Sequence, residues 1–177
     1  MVELERLNML DDNIEFNILQ LLLSQHFGAK ISDLIIENES MSYNACRFNI
    51  NNLKFIYRSA KITPRKIGQF VTVWKRNNTS ITVPFSLNDH LDYYLISAQN
   101  DSELGYFIFP AAAMCTKNIL ADLNESGGKR GFRIYPPWDK PTSKQAVKTQ
   151  KWQNNYFFDY RNPVGSQKQF NEYFNCS

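Results

Sequence analysis

Apolar positions recur at three- and four-residue spacing through the start of the chain, at Leu7, Leu10, Ile14, Ile18, Leu21 and Leu22. A stripe of that period predicts an amphipathic helix over residues 5–28, with Gly28 as its stop. The period then shortens to alternation. Phe48 and Ile50 precede Asn51 and Asn52, and Leu53, Phe55 and Tyr57 follow on one face, so residues 45–61 read as two strands around a turn. Thr63 and Pro64 interrupt the pattern, and 69–75 resumes it as a strand before a turn at 77–80. Strands are expected over 91–98 and 104–109, a short helix over 112–123 and a strand over 132–135. A helix over 143–160 completes the pattern, with capping residues at its Thr142 and Ser143 entrance.

No internal repeat or linker divides this series. The chain reads as a single domain over 1–177, with an N-terminal helical segment (1–30), a core (40–160) and a polar tail (161–177) that keeps Phe170, Tyr173 and Phe174. The order of elements predicts an α+β (α/β) fold, a central mixed β-sheet flanked by helices. With 177 residues, 43% of them hydrophobic and 14% aromatic, the chain has enough apolar surface to fold without a disulfide or a metal. Cys46, Cys115 and Cys176 are widely spaced and form no CxxC, which argues against a disulfide framework or zinc site and for a reducing compartment. Glu3 and Glu5 stand where a signal peptide carries bases, and the longest apolar run, 106–115, is broken by Pro110. That run is about half the length needed to cross a bilayer. The expectation is a soluble, cytoplasmic protein with no membrane partner.

The formal charge of +3 changes little by itself, but its distribution does. Residues 1–39 carry a net −6, 40–88 a net +8 with no acid, 89–125 a net −5, and 126–151 a net +6. Such blocks are often solvated faces. Here the bases alternate with amides and aromatics: Arg58, Lys61, Arg65, Lys66, Gln69, Trp74, Lys75 and Arg76 in one block, Lys129, Arg130, Arg133, Tyr135 and Trp138 in the other. Nucleic acid asks for that mixture, since phosphates need cations and unstacked bases need flat π faces. Lys144, Lys148 and Lys151 add one stripe on the last helix, opposite Ala146, Gln153, Tyr156, Phe157 and Tyr160.

Most catalytic signatures are missing. His26 and His90 stand alone, and there is no HExxH, paired CxxC or P-loop. The turn at 126–130 (SGGKR) lacks the first glycine of a phosphate loop at Leu123, and Arg130 replaces the magnesium-binding hydroxyl. Ser59-x-Lys61 has the spacing of the acid-x-Lys half-motif of metal-dependent nucleases, with a neutral hydroxyl in the place of the acid.

Three long segments in order carry a resemblance. RSAKITPRKIGQFVTVWKR (58–76), GFRIYPPWD (131–139) and QAVKTQKWQ (145–153), with Tyr156 and Phe157, resemble the motifs of the MepB family over about residues 40–160. The resemblance implies a restriction-endonuclease-like fold, similar to the PD-(D/E)XK nucleases, with the catalytic acids not retained. It implies nucleic-acid binding with a leaning towards single strands and RNA. Ser59 then stands at the motif-acid position and Lys61 at the motif lysine, while Arg47 and Asn49 are candidates for the missing Asp.

The expected function is therefore a nucleic-acid-binding pseudo-nuclease, with no metal, no cofactor and no catalytic residue. Its contacts would come from Arg58, Lys61, Arg65, Lys66, Gln69, Lys75, Arg76, Lys129, Arg130 and Arg133. Tyr135 or Trp138 would stack on bases, and Lys144, Lys148 and Lys151 would form a second phosphate track. The alternative is an active metal-dependent nuclease using Glu37 or Glu39 with Lys61. A third reading, a small-molecule pocket lined by aromatics, competes with the simpler role of aromatics as core.

Overall fold

The computed structural model describes residues 13–163. In chain order these form α1 (Ile14–Phe27), β1 (Ile31–Ile36), β2 (Cys46–Ile50), β3 (Leu53–Ser59), β4 (Lys61–Thr63), β5 (Lys66–Thr72), β6 (Trp74–Arg76) and β7 (Thr82–Pro84). There follow β8 (Tyr93–Gln99), β9 (Leu104–Pro110), α2 (Ala111–Thr116), β10 (Gly131–Ile134), α3 (Lys144–Gln153) and β11 (Phe157–Asp159). The largest sheet has six strands in the order β1-β2-β3-β8-β9-β11. It is mixed: β3 and β8 run parallel, and the other neighbours are antiparallel. The connection between the parallel pair carries β4–β7, which contribute to a three-stranded sheet, β10-β5-β4, and a ribbon, β6-β7.

Alternation along β3, β8 and β9 splits the core into two layers. Phe55, Tyr57, Leu95, Tyr106 and Ile108 face α1, where Phe16, Leu19, Leu22 and Leu23 cover them. Ile56, Tyr94, Ile96, Phe107 and Phe109 face the other way, towards Val71, Phe132 and Ile134 of the smaller sheet and Met114 of α2. The expectation of a mixed sheet is met. Helix covers one face, but the other face is covered mainly by a second sheet, because 61–72 folds as a hairpin and 131–134 joins it.

Asn13 caps α1 by accepting the Phe16 N–H at 3.1 Å, and Gly28 ends it at φ 61°. The buried stripe of α1 is Phe16-Leu19-Leu22-Leu23, whereas Ile14 and Leu21 face solvent. Leu7 and Leu10, like the tail past 163, lie outside the described residues. The turn between β2 and β3 is where Asn51 and Asn52 place it, with Asn51 at φ 54°. The helix expected over 112–123 stops at Thr116, and Asn118 turns the chain at φ 53° while its Oδ1 accepts the Gly128 N–H. The helix expected over 143–160 also ends early. It stops at Gln153, whose side chain bonds β10, and Phe157–Asp159 pair instead with β9, covering that edge of the sheet.

Tyr57, Tyr94 and Tyr106 lie inside these layers. Burial pushes their phenols well above the usual tyrosine value, with the Glu15 charge adding to it at Tyr57 and Tyr106 and the Asp89 charge at Tyr94. An acid whose pKa is raised by folding stabilises the fold fully below the unfolded value, about pH 10, and that contribution is lost as pH climbs past it. Phenolate absorbance on alkaline titration should therefore show exposed tyrosines ionising first. These three are expected to ionise only in a cooperative unfolding step.

Candidate nucleic-acid interface

The two basic blocks meet through a strand pair. β5 and β10 run antiparallel, from Gly131 opposite Thr72 to Ile134 opposite Gln69. Arg133 ties β10 to the β4–β5 hairpin: its Nη1 donates to Gly68 O at 2.9 Å and its Nη2 to Thr63 Oγ1. The free edge of β10 is held by Gln153, which is fully buried. Its Oε1 accepts the Tyr135 N–H and its Nε2 donates to Arg133 O, each at 2.9 Å, so one side chain completes the ladder and docks α3.

Between β10 and α3 runs a cleft of about 360 Å³, with Lys117, Lys129 and Arg133 among its lining residues. A second hollow of about 270 Å³ shares Arg133, Tyr135, Ser143 and Ala146 with it and extends to Arg65 and Lys66. Five bases from three parts of the chain thus line one continuous depression, and neither part of it is lined by an Asp or Glu. Among the described residues, none of Lys61, Arg65, Lys66, Lys129, Arg130 and Arg133 makes an ion pair.

Other expected contacts lie elsewhere. Arg58 is 2% exposed: its guanidinium pairs with Glu37, and its Nη1 donates to Tyr57 O at 2.8 Å. It stands on the inward face of β3 and does not line a groove. Gln69 is likewise buried, bonded to the Gln99 backbone at 2.9 Å. Lys75 pairs with Asp89. Arg76 pairs with Glu39 at 2.7 Å and lies 5.7 Å over the Trp74 ring. The carboxylates that neutralise these bases come from the flanking acidic blocks, so the +8 block is much less basic in the fold than along the chain. Trp138 is partly buried and packs edge-on against Phe157 at 5.6 Å between centroids, at the margin of the second core layer, and it does not line the depression. Lys144, Lys148 and Lys151 are exposed, as the periodicity predicts, but the α3 residues that line the cleft are on another face of that helix.

Ser59, of the Ser59-x-Lys61 fragment, is buried at the end of β3 beside Ser97, its register partner on β8. Both hydroxyls donate to Glu15 Oε2, Tyr57 OH donates to Ser97 Oγ at 2.9 Å beside them, and Gln99 donates to Glu15 Oε1. Asn44 Nδ2 bonds Ser59 Oγ at 3.0 Å from the opposite side. A buried carboxylate from α1 thus sits against the end of β3, satisfied by neutral donors. No motif marks Glu15, Asn44, Ser97 or Gln99. The available signal is that Ser59 and Ser97 are polar residues on otherwise apolar inward faces. Replacing Glu15 with Gln should cost about 1–3 kcal/mol in chemical denaturation, because an amide donor would then meet groups that already donate.

Glu37 and Glu39, the acids required for a metal-dependent nuclease, are engaged. Both Glu37 oxygens accept from guanidinium groups, Arg47 and Arg58, and Glu39 accepts from Arg76. Lys61 lies on the other sheet, its Nζ 5.0 Å over the Tyr43 ring. Among the described residues, no three His, Cys, Asp or Glu side chains gather as a metal would need. Nor is any helix among them long and apolar enough to cross a membrane.

Among curated proteins, none matches the chain. A solved structure described as the crystal structure of MepB is similar, with a TM-score of 0.71 and 35% identity over 80% of this chain and 95% of that one. The MepB-like family matches residues 37–159, from the acid that holds Arg58, through the β5–β10 pair and α3, to the end of β11. The chain belongs to the MepB-like family.

Proposed function

We propose that the protein binds single-stranded nucleic acid, RNA or DNA, in the depression between β10 and α3 and does not cleave it. The observation that carries this reading is the lining: Arg65, Lys66, Lys117, Lys129 and Arg133 converge from three segments with no carboxylate among them. Bases on a merely solvated surface are commonly interspersed with acids, as Arg76 and Lys75 are here. Phosphates would lie along the cations, while the half-buried Tyr135 ring offers a flat apolar surface beside them.

In the same reading the fold is restriction-endonuclease-like. The support is a helix packed on a mixed sheet, with an antiparallel meander β1-β2-β3 and β8 parallel to β3. Ser59 then occupies the motif-acid position, and its hydroxyl is committed to Glu15 and Asn44. A hydroxyl held in this way is a poor ligand for a hard dication, so binding is separated from cleavage.

Fluorescence anisotropy of a labelled single-stranded oligonucleotide, titrated at several salt concentrations, tests the proposal. Five phosphate contacts predict a log–log slope of about −3 to −4, at about −0.7 per contact on single strands. The oligonucleotide should be recovered intact after incubation with Mg²⁺ or Mn²⁺. Salt-independent binding, or none at low salt, would remove the reading.

A further inference from the structure

The outer face of the β10-β5-β4 sheet, turned away from the core, carries aromatic rings seated on glycines. A Cβ at Gly131 would lie 2.5 Å from Phe70 Cζ, and one at Gly68 would lie 2.6 Å from Tyr135 Cε1. Each ring occupies space that only a glycine leaves open, and Gly68 also needs its backbone at φ 85°. Both rings are half-buried and so keep solvent-facing area. Arg133 is the register partner of Phe70 on one side and Lys61 on the other, which places a base on each flank. Tyr43 closes the row, edge-on to Phe70 at 6.4 Å and under the Lys61 ammonium. Gly131, Arg133 and Tyr135 belong to the basic depression as well, so the face and the cleft are continuous.

We propose that Phe70 and Tyr135 form a two-ring base-stacking platform, with Gly131 and Gly68 as their seats and Lys61 and Arg133 as flanking cations. Rings fixed against backbone on one side lose little freedom when a base covers the other, and a stack of this kind tolerates any base. Phe70 thereby becomes a specificity-determining residue that favours strands with unpaired bases over duplex, whose bases are already stacked. The proposal rests on nucleic-acid binding in the adjoining cleft.

The test uses Phe70→Leu and Tyr135→Leu, with affinities measured for a single-stranded oligonucleotide and for an abasic sugar–phosphate strand of equal length. Each substitution should weaken oligonucleotide binding roughly ten- to a hundredfold. It should leave the salt slope and the affinity for the abasic strand unchanged. Variants that bind both strands like the parent would overturn the platform while leaving the cleft in place, whereas a parent protein that binds neither strand removes both. Because ring-to-leucine changes could perturb folding, an iodouracil-substituted oligonucleotide photocrosslinked to the unaltered protein gives a second reading. Crosslinks at Phe70 or Tyr135 support the platform, and crosslinks confined to other residues overturn it.

Discussion

Replacing Glu37 with alanine is expected to cost about 3–5 kcal/mol of folding stability, although the residue lies outside the proposed binding cleft. Glu37 holds two guanidinium groups, one from each of two adjacent strands, Arg47 on β2 and Arg58 on β3. Arg58 is buried, and burial works against its charge, lowering its pKa. Glu37 is the principal group opposing that shift. The Arg58 Nε is already without a partner among the described residues. Removing the carboxylate would leave a cation inside the second core layer, against Phe85 and Tyr94, with one backbone carbonyl to hold it. Arg47 is the contrasting case. Its side chain is 41% exposed, so Arg47→Ala should cost about 1 kcal/mol or less. Replacing Glu37 and Arg58 together by apolar residues should cost less than Glu37→Ala alone, since the stranded charge is then absent. Denaturant midpoints for the three variants check the order, and a Glu37→Ala midpoint close to that of Arg47→Ala would refute it.

Local chemistry in the sequence was legible, and pairing across the chain was not. The β2–β3 hairpin could be read because two asparagines fill a turn between alternating segments. The stop of α1 could be read because Gly28 takes a left-handed conformation. The three-residue strands β4 and β7 are too short to show a period, and β1 alternates only weakly, around a bulge between Ser32 and Ile35. The same limit governs the site. Charge blocks located the bases of the cleft but could not show that Arg58 meets an acid 21 residues away, or that Ser59 meets one 44 residues away. Four of the eight bases in the +8 block pair with three carboxylates in this way. Tyr135 was legible as an aromatic among bases. Phe70 was not, because its importance depends on Gly131, opposite Thr72 on another strand, leaving room for the ring.

The second large effect concerns binding. Changing Arg65, Lys66 and Lys129 together to Gln should weaken binding to single-stranded nucleic acid by about one to two powers of ten, or about 1.4–2.8 kcal/mol. These three are exposed and, among the described residues, make no ion pair, so their loss should leave the fold intact. Arg133 is unsuitable for this purpose, because it also ties β10 to the hairpin. The control is the lysine stripe of α3, Lys144, Lys148 and Lys151, which carries the same charge but does not line the cleft.

The most direct measurement is an anisotropy titration of one single-stranded oligonucleotide against the parent protein, the cleft triple variant and the stripe triple variant, over a range of salt. The cleft variant is expected to lose affinity and to lower the log–log salt slope by about 2, the value for three phosphate contacts at about 0.7 each. The stripe variant is expected to stay within about threefold of the parent, because distant exposed charges are screened at working salt. A cleft variant that binds like the parent, with an unchanged slope, would contradict the assignment of this depression as the nucleic-acid site.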